Sequence, residues 1–253
     1  MTYSILQKNS FRKFLAILVF GISQISNAAP SMSGGLGSGI AWTARHTALF
    51  LNPAGLSSGD SKNSLYGLYG FETETVTSAL TGGTKGIGYG LGVVYNADSD
   101  LGYLGGVAFD LNKLSFGLSA EKEGASDLGF NAGLNIDLSK LRISAVLHNL
   151  ADPSQIDISV GFMTGLLRFE AGIANQWPMS QKNGIFFAGF VYNGRPLSIS
   201  FGIARPYIDA SLVGEFTYQA GIEIAIGQNL ALQGEYHSNL DVSDYSAGLR
   251  LKF

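Results

Sequence analysis

The chain carries three histidines and no cysteine. It therefore has no thiolate nucleophile, no thiolate metal site and no disulfide framework. The remaining route to nucleophilic catalysis is a histidine sharing a proton with a serine hydroxyl. On a strand the two must stand two residues apart to share a face. His237 and Ser238 are adjacent, which sends them to opposite faces of an extended chain. His148 is followed by Asn149 and has no serine two positions away, and His46 lies ahead of the first strand. The pattern points away from a hydrolase, and the chain reads as a non-enzyme needing no metal and no cofactor.

A second set of groups is charged: Glu121, Asp137, Arg142, Asp157, Arg168, Glu170, Glu223, Glu235, Arg250 and Lys252 fall on the polar positions of alternating segments. Two arrangements fit them. One is a polar permeation path lined by both signs. The other is a filled interior in which the charges pair with each other and with an internal segment, because a buried unpaired charge is costly.

These positions have meaning only on strands. The last eight residues alternate strictly, with Ala247, Leu249, Leu251 and Phe253 on one face and Ser246, Gly248, Arg250 and Lys252 on the other. From Asn63 onward alternation recurs, with breaks every 8 to 14 residues. It predicts strands over 63–71, 75–83, 86–95, 101–110, 113–121, 128–136, 140–148, 156–163, 166–174, 184–192, 196–204, 216–226, 229–237 and 244–253. Strand three is the plainest, with Ile87, Tyr89, Leu91, Val93 and Tyr95 outward and Gly86, Gly88, Gly90 and Gly92 inward. Such lengths suit tilted strands that cross a bilayer. Aromatics near strand ends (Tyr66, Tyr95, Phe109, Tyr192, Tyr236 and Tyr245) suit interfacial girdles.

Connections after even-numbered strands are short, as at Gly83-Thr84-Lys85, Leu111-Asn112 and Gly227-Gln228, whereas those after odd-numbered strands tend to be longer. That asymmetry is expected of outer-membrane barrels, with short turns and both chain ends in the periplasm. The fold class predicted is all-β: a closed antiparallel transmembrane β-barrel of about 14 strands, with 12 or 16 as alternatives. A soluble β-sandwich is the competing fold. Closure is favoured because an open sheet with these faces would leave edges and apolar surface exposed.

The front of the chain supports export. Lys8, Arg12 and Lys13 precede the apolar run Phe14 to Ile22, and Ser26-Asn27-Ala28 supplies a small-x-small cleavage site. Residues 1–28 read as a secretory signal peptide. Residues 29–62 form an N-terminal segment of their own, with a short helix within Ala41 to Leu51 broken by Pro53, and 63–253 form the barrel. Glycine supplies 34 of 253 residues, about twice the usual share. With a formal net charge of −3 and no Lys/Arg cluster, nothing predicts a nucleic-acid partner. The partners expected are outer-membrane lipid and a small hydrophobic ligand. The location expected is the cell outer membrane of a Gram-negative-type bacterium.

Two stretches suggest passages. Gly82-Gly83 and the inward glycines of strand three could mark a bend or side opening. Strand ten, Ile185-Phe186-Phe187-Ala188-Gly189-Phe190-Val191, is apolar on both faces, and Phe186 and Phe190 could line a hydrophobic conduit if they point inward.

Two motifs carry a family resemblance. The closing octet resembles the C-terminal assembly signal of bacterial outer-membrane proteins, with Ser246, Gly248, Leu251 and Phe253 in the pattern positions. That implies the barrel-assembly machinery as a partner. Ahead of the first strand, the Gly-rich Ser33 to Gly39, then Ala48-Leu49-Phe50-Leu51 and Asn52-Pro53-Ala54-Gly55-Leu56, resemble the long-chain fatty-acid transporter (FadL-like) barrels and equally the related PorV/PorQ barrels. The resemblance implies 14 strands and an N-terminal hatch tucked into the lumen, with Asn52, Pro53, Ala54 and Gly55 as its motif. Locally, Pro53 keeps Asn52 out of the α region, Asn52 can bond nearby backbone, and Gly55 permits a conformation denied to other residues. The function implied is FadL-like passage of small hydrophobic compounds. The alternatives are a PorV-like, non-transporting barrel that anchors or assists protein secretion, and a structural barrel with a sealed lumen. Candidate lumen residues are Glu121, Arg142, Arg168, Glu170, Glu223, Glu235 and Arg250. The chain looks like a minimal member.

Overall fold

The structure, a computed structural model, describes residues 40–43, 45–58, 63–95, 101–124, 127–151, 155–176, 183–208, 211–238 and 243–253. The leader read over 1–28 and the opening of the segment read over 29–62 lie outside them. A short helix, α1 (Arg45–Leu51), and a 3-10 turn (Pro53–Ser57) precede the first strand. Fourteen barrel strands follow: β1 (Ser64–Gly70), β2 (Thr75–Thr84), β3 (Ile87–Tyr95), β4 (Gly102–Asp110), β5 (Leu114–Glu123), β6 (Gly129–Leu138), β7 (Leu141–His148), β8 (Gln155–Thr164), β9 (Leu167–Gln176), β10 (Asn183–Asn193), β11 (Leu197–Ile208), β12 (Thr217–Ile226), β13 (Leu230–Ser238) and β14 (Ser243–Lys252). A two-residue strand, Ser211–Leu212, folds back on the end of β11.

Each strand pairs antiparallel with its neighbours in chain order. β14 pairs with β1 from Ser64↔Lys252 to Gly70↔Ser246, which closes the sheet into a barrel. Closure leaves no unpaired edge, the condition under which an all-antiparallel sheet can expose one apolar face without templating aggregation. Asn63 and Phe253 exchange backbone hydrogen bonds of 3.1 and 3.0 Å, so the start of β1 and the last residue sit at the short-turn end.

The alternation read from the sequence determines which side chains face out. Leu91 is 65% exposed, and Leu118, Val160, Ile222 and Leu232 are exposed with it, whereas the residues between them are buried. Rings pair along this outer face, stacked at Phe109–Phe116 (5.3 Å) near the short turns and tilted at Tyr236–Tyr245 (5.0 Å) at the opposite end. Tyr89 folds over outward Gly82, and its hydroxyl donates to Asn63 Oδ1 at 3.1 Å. Among the described residues no helix is long and apolar enough to cross a membrane.

Four expectations need correction. Tyr66 is no girdle residue: it lies on the inward face of β1, 1% exposed, packed with Ala48, Leu49 and Leu56. The parity of β1 decides this, since Tyr66 faces Arg250 and Ala79 across the ladders while Leu65 and Tyr69 point out. Residues 205–208, read as loop, continue β11. Pro206 is tolerated there because it lies beyond the stretch paired to β12, which ends at Ala204↔Thr217. β3 has no side opening: its pairing to β2 runs unbroken from Val76↔Tyr95 to Thr84↔Ile87, and to β4 from Ile87↔Phe109 to Val94↔Gly102. Phe186 and Phe190 face outward, where Phe190 sits between Phe169 (6.4 Å) and Phe201 (6.1 Å). Phe187 and Val191 are the fully buried, inward side chains of β10.

Candidate functional site

The described part of the N-terminal segment, residues 40–43 and 45–58, lies against the inward faces of β1 to β10. Asn52 organises it. Its Oδ1 accepts from Ala54 N at 3.1 Å, capping the 3-10 turn, while Nδ2 donates to Ile40 O at 2.8 Å and to Asn135 Oδ1 at 2.9 Å. One side chain thus caps the turn, ties the segment to itself and ties it to β6. Pro53 at the first position of the turn has no N–H to satisfy.

Inward glycines on successive strands make room for this segment. A Cβ on Gly88 would lie 1.9 Å from Leu56 O, one on Gly117 2.3 Å from the Pro53 carbonyl carbon, and one on Gly133 2.1 Å from Asn52 Oδ1. On β8, a Cβ on Gly161 would lie 2.3 Å from Trp42 Nε1. These glycines are therefore a seat, cleared of side chains so that backbone at Leu56 and Pro53, and the side chains of Asn52 and Trp42, can lie against the strands. Gly55 serves the same end. Its φ is not positive, and its need for glycine comes from Thr43 and Ala48, which leave no space for a Cβ.

Two contacts complete the attachment. Glu170 Oε1 on β9 accepts from the backbone N of Ile40 and of Ala41, each at 2.9 Å. Arg142 on β7 forks onto Asp137 (2.6 and 3.0 Å), donates to Ala41 O at 3.0 Å and lies 4.7 Å from the Trp42 ring centre. Arg168 approaches the same ring at 5.5 Å, and the indole N–H donates to Phe169 O at 3.0 Å. Between these anchors the segment is apolar. Ala48, Leu49 and Leu56 pack on Leu68, Tyr66, Ala79, Val94, Leu104 and Ala108 of β1 to β4, and Ile40 packs on Val146 and Phe187.

The wall from β11 to β14 is different. Glu223 pairs with Arg250 and accepts from Gln233 Nε2 at 2.7 Å, with Glu235 and Gln219 buried beside them. At the long-loop end, Asp157 accepts from Gln155 Nε2 at 2.7 Å and contacts His148 Nε2 at 2.8 Å. Glu121 stands on β5 opposite Gly129 and is half-buried. Of the octet, Ser246 and Gly248 face inward, Leu251 and Phe253 outward, with Phe253 66% exposed. A Cβ on Gly248 would lie 2.1 Å from Gly67 O, so glycine is required by the close approach of strands at the seam.

At the short-turn end a cavity of about 520 Å³ opens beside the 3-10 turn. Its walls are mostly polar, including Ser57, Lys85, Asp110, Ser115, Asn135 and Arg142. Among the described residues no group of three or more His, Asp or Glu could hold a metal ion. Sequence reasoning found the charged groups by their strand parity. It missed the glycine seat, Trp42 and Asn135, because nothing local says which inward glycine faces another piece of backbone.

No protein-family model matches this chain, and no curated protein sequence matches it. Among solved structures it is similar to variants of the Rhodopseudomonas blastica porin. A triple mutant aligns with a TM-score of 0.47 at 9% identity, covering 76% of this chain and 98% of the porin. A second mutant aligns with a TM-score of 0.47 at 8% identity over the same shares.

Proposed function

We propose that this chain is an outer-membrane β-barrel that passes small hydrophobic compounds, with the segment over 29–62 as its hatch. The observation that carries the reading is the apolar strip on the inner wall of β1 to β4, formed by Leu68, Ala79, Val94, Leu104 and Ala108 and covered by Leu49 and Leu56 of the segment. If the segment leaves its seat, that strip has no apolar partner, and a hydrocarbon would shield it from water as the leucines do now. The exposed outer face supports a lipid setting, since apolar side chains are turned out around the whole barrel. Both chain ends would then lie in the periplasm with the short turns, and Ser246, Gly248, Leu251 and Phe253 would be read by the assembly machinery. No catalytic role and no cofactor is needed.

The reading is tested with the full mature chain in proteoliposomes. Entry of a labelled long-chain fatty acid or an aromatic hydrocarbon should require the protein and should rise when residues 40–58 are deleted. Passage equal to that of empty vesicles in both preparations would overturn it.

A second reading, a PorV-like barrel that anchors or assists secreted proteins, is favoured by apolar side chains exposed on the long-loop connections, namely Phe71, Leu128 and Leu150. Loss of secreted proteins on gene deletion, with hydrophobic uptake unchanged, would select it over the first.

A further inference from the structure

We propose that the cavity at the short-turn end is a binding site for a small zwitterion, a molecule of amino-acid to dipeptide size carrying one ammonium and one carboxylate. This site is distinct from the apolar strip on β1 to β4 and does not depend on what crosses the barrel. At about 520 Å³ it falls within the size of small-molecule pockets, roughly 300–1,000 Å³.

Its walls hold unspent capacity of both signs. Lys85, in the turn between β2 and β3, lines the cavity and has no ion-pair partner among the described residues. Asp110, at the end of β4, has a buried Oδ1 with no hydrogen-bond partner. Its backbone N donates to Gly86 O at 2.8 Å, which places it beside the turn that carries Lys85. Two deeper groups add neutral hydrogen-bonding capacity. Asn135 is 1% exposed, and its Oδ1 accepts from Asn52 Nδ2 and the Ser144 hydroxyl, while its own amide nitrogen has no partner among the described residues. Ser115, 7% exposed, likewise makes no side-chain hydrogen bond among the described residues. The remaining charged groups, Arg142 and Asp137, satisfy each other.

The unspent set is thus one cation, one anion, the Thr84 and Ser115 hydroxyls and an amide donor. A ligand of net charge would leave either the buried Asp110 Oδ1 or Lys85 unmatched, and an uncharged polyol would match neither charge. A carboxylate toward Lys85 and the Asn135 amide, with an ammonium toward Asp110, matches both charged groups and the amide donor. The floor of the cavity, Ala54, Ser57 and Ser58, belongs to the N-terminal segment. A ligand held between that floor and β4 to β6 binds only while the segment is seated, so binding stabilises the seated state by mass action.

The experiment is calorimetric titration of the purified full mature chain, folded in detergent, with glycylglycine. Acetate, methylammonium and glycerol serve as comparisons. Glycylglycine should bind with a stoichiometry of one, and each comparison compound should bind at least about ten-fold more weakly, since each lacks one or both charge-assisted contacts. Lys85→Gln and Asp110→Asn should each weaken glycylglycine by about ten-fold or more, with the folded-barrel gel mobility unchanged. Saturating glycylglycine should also slow backbone amide exchange at Ser57 and Ser58. Absence of binding, equal binding of glycerol, or parental affinity in both variants would overturn the site. Unchanged exchange at Ser57 and Ser58 would overturn the shared floor. Proteoliposome passage of hydrocarbons is a separate measurement, so the two proposals fail independently.

Discussion

The two halves of the lumen solve the same packing problem in opposite ways. From β2 to β9 the inner wall carries glycine at the positions that residues 40–43 and 45–58 approach most closely, and that segment fills the space beside them. From β11 to β14 the wall keeps long polar side chains, and Glu223, Arg250 and Gln233 bond to one another. A barrel interior must be filled and its polar groups satisfied. One half is filled by a separate piece of chain, the other by its own wall. The two halves therefore differ in what fills them: from β11 to β14 the side chains are part of the wall itself, whereas from β1 to β10 the filling is a separate segment held by apolar contacts and a few polar anchors.

The comparison is broken most severely by filling the seat. Gly88→Val and Gly117→Val together should dislodge the segment at a cost of several kcal/mol, since overpacking costs about 1–3 kcal/mol per site and here the clash is with backbone. The barrel itself should still form. Amide exchange at Ala48 and Leu49 would report the loss, and retained protection there would show that the glycines are not a seat.

In the opposite half, Glu223→Leu should cost about 3 kcal/mol because it strands the Arg250 guanidinium. The double change with Arg250→Met should recover most of it. Denaturant unfolding in lipid measures these variants and Arg250→Met alone, and a double-variant loss equal to the sum of the two single losses would mean that the two residues are not coupled. Neither change should loosen Ala48 or Leu49.

A smaller effect is expected at the anchor. Glu170→Ala removes the acceptor of two backbone N–H groups and should destabilise the seated state by about 1–3 kcal/mol. Glu170→Gln, which keeps an acceptor oxygen, should cost less. Exchange rates at Ile40 and Ala41 order the three proteins, and identical rates would remove the anchor from the account. The smallest change belongs to outward Gly67, where a Cβ meets nothing within 4 Å. Gly67→Val should alter stability by no more than about 0.5 kcal/mol. A loss comparable to that at Gly88 would mean that the contrast between inward and outward glycines is not steric.

Period-two alternation was legible across the barrel apart from β10. Each of the fourteen strands expected from Asn63 onward is present with small shifts at its ends, and the turns after even-numbered strands are the short ones. Alternation carries that much because successive side chains of a strand point to opposite faces of the sheet, so parity separates in from out wherever the two faces differ in character. Where parity gave no contrast the reading was wrong or open. β10 is apolar on both faces, and only its register against Phe169 and Phe201 shows that Phe187 points inward while Phe186 and Phe190 do not. Tyr66 looked like a girdle residue because it lies near a strand end, and its inward position followed from pairing with Ala79 and Arg250.

The sequence by itself therefore determined the strands, their faces and the local logic of Asn52-Pro53, since periodicity and proline geometry act over a few residues. Only the tertiary structure decided that the inward glycines of β3, β5, β6 and β8 are one seat, and that Asn52, Asn135, Glu170 and Arg142 converge on a single segment. A glycine is equally small whether it bends a strand, relieves a turn or receives another backbone. Which of these it does depends on closure of the barrel, which brings residues about a hundred positions apart into contact across the lumen.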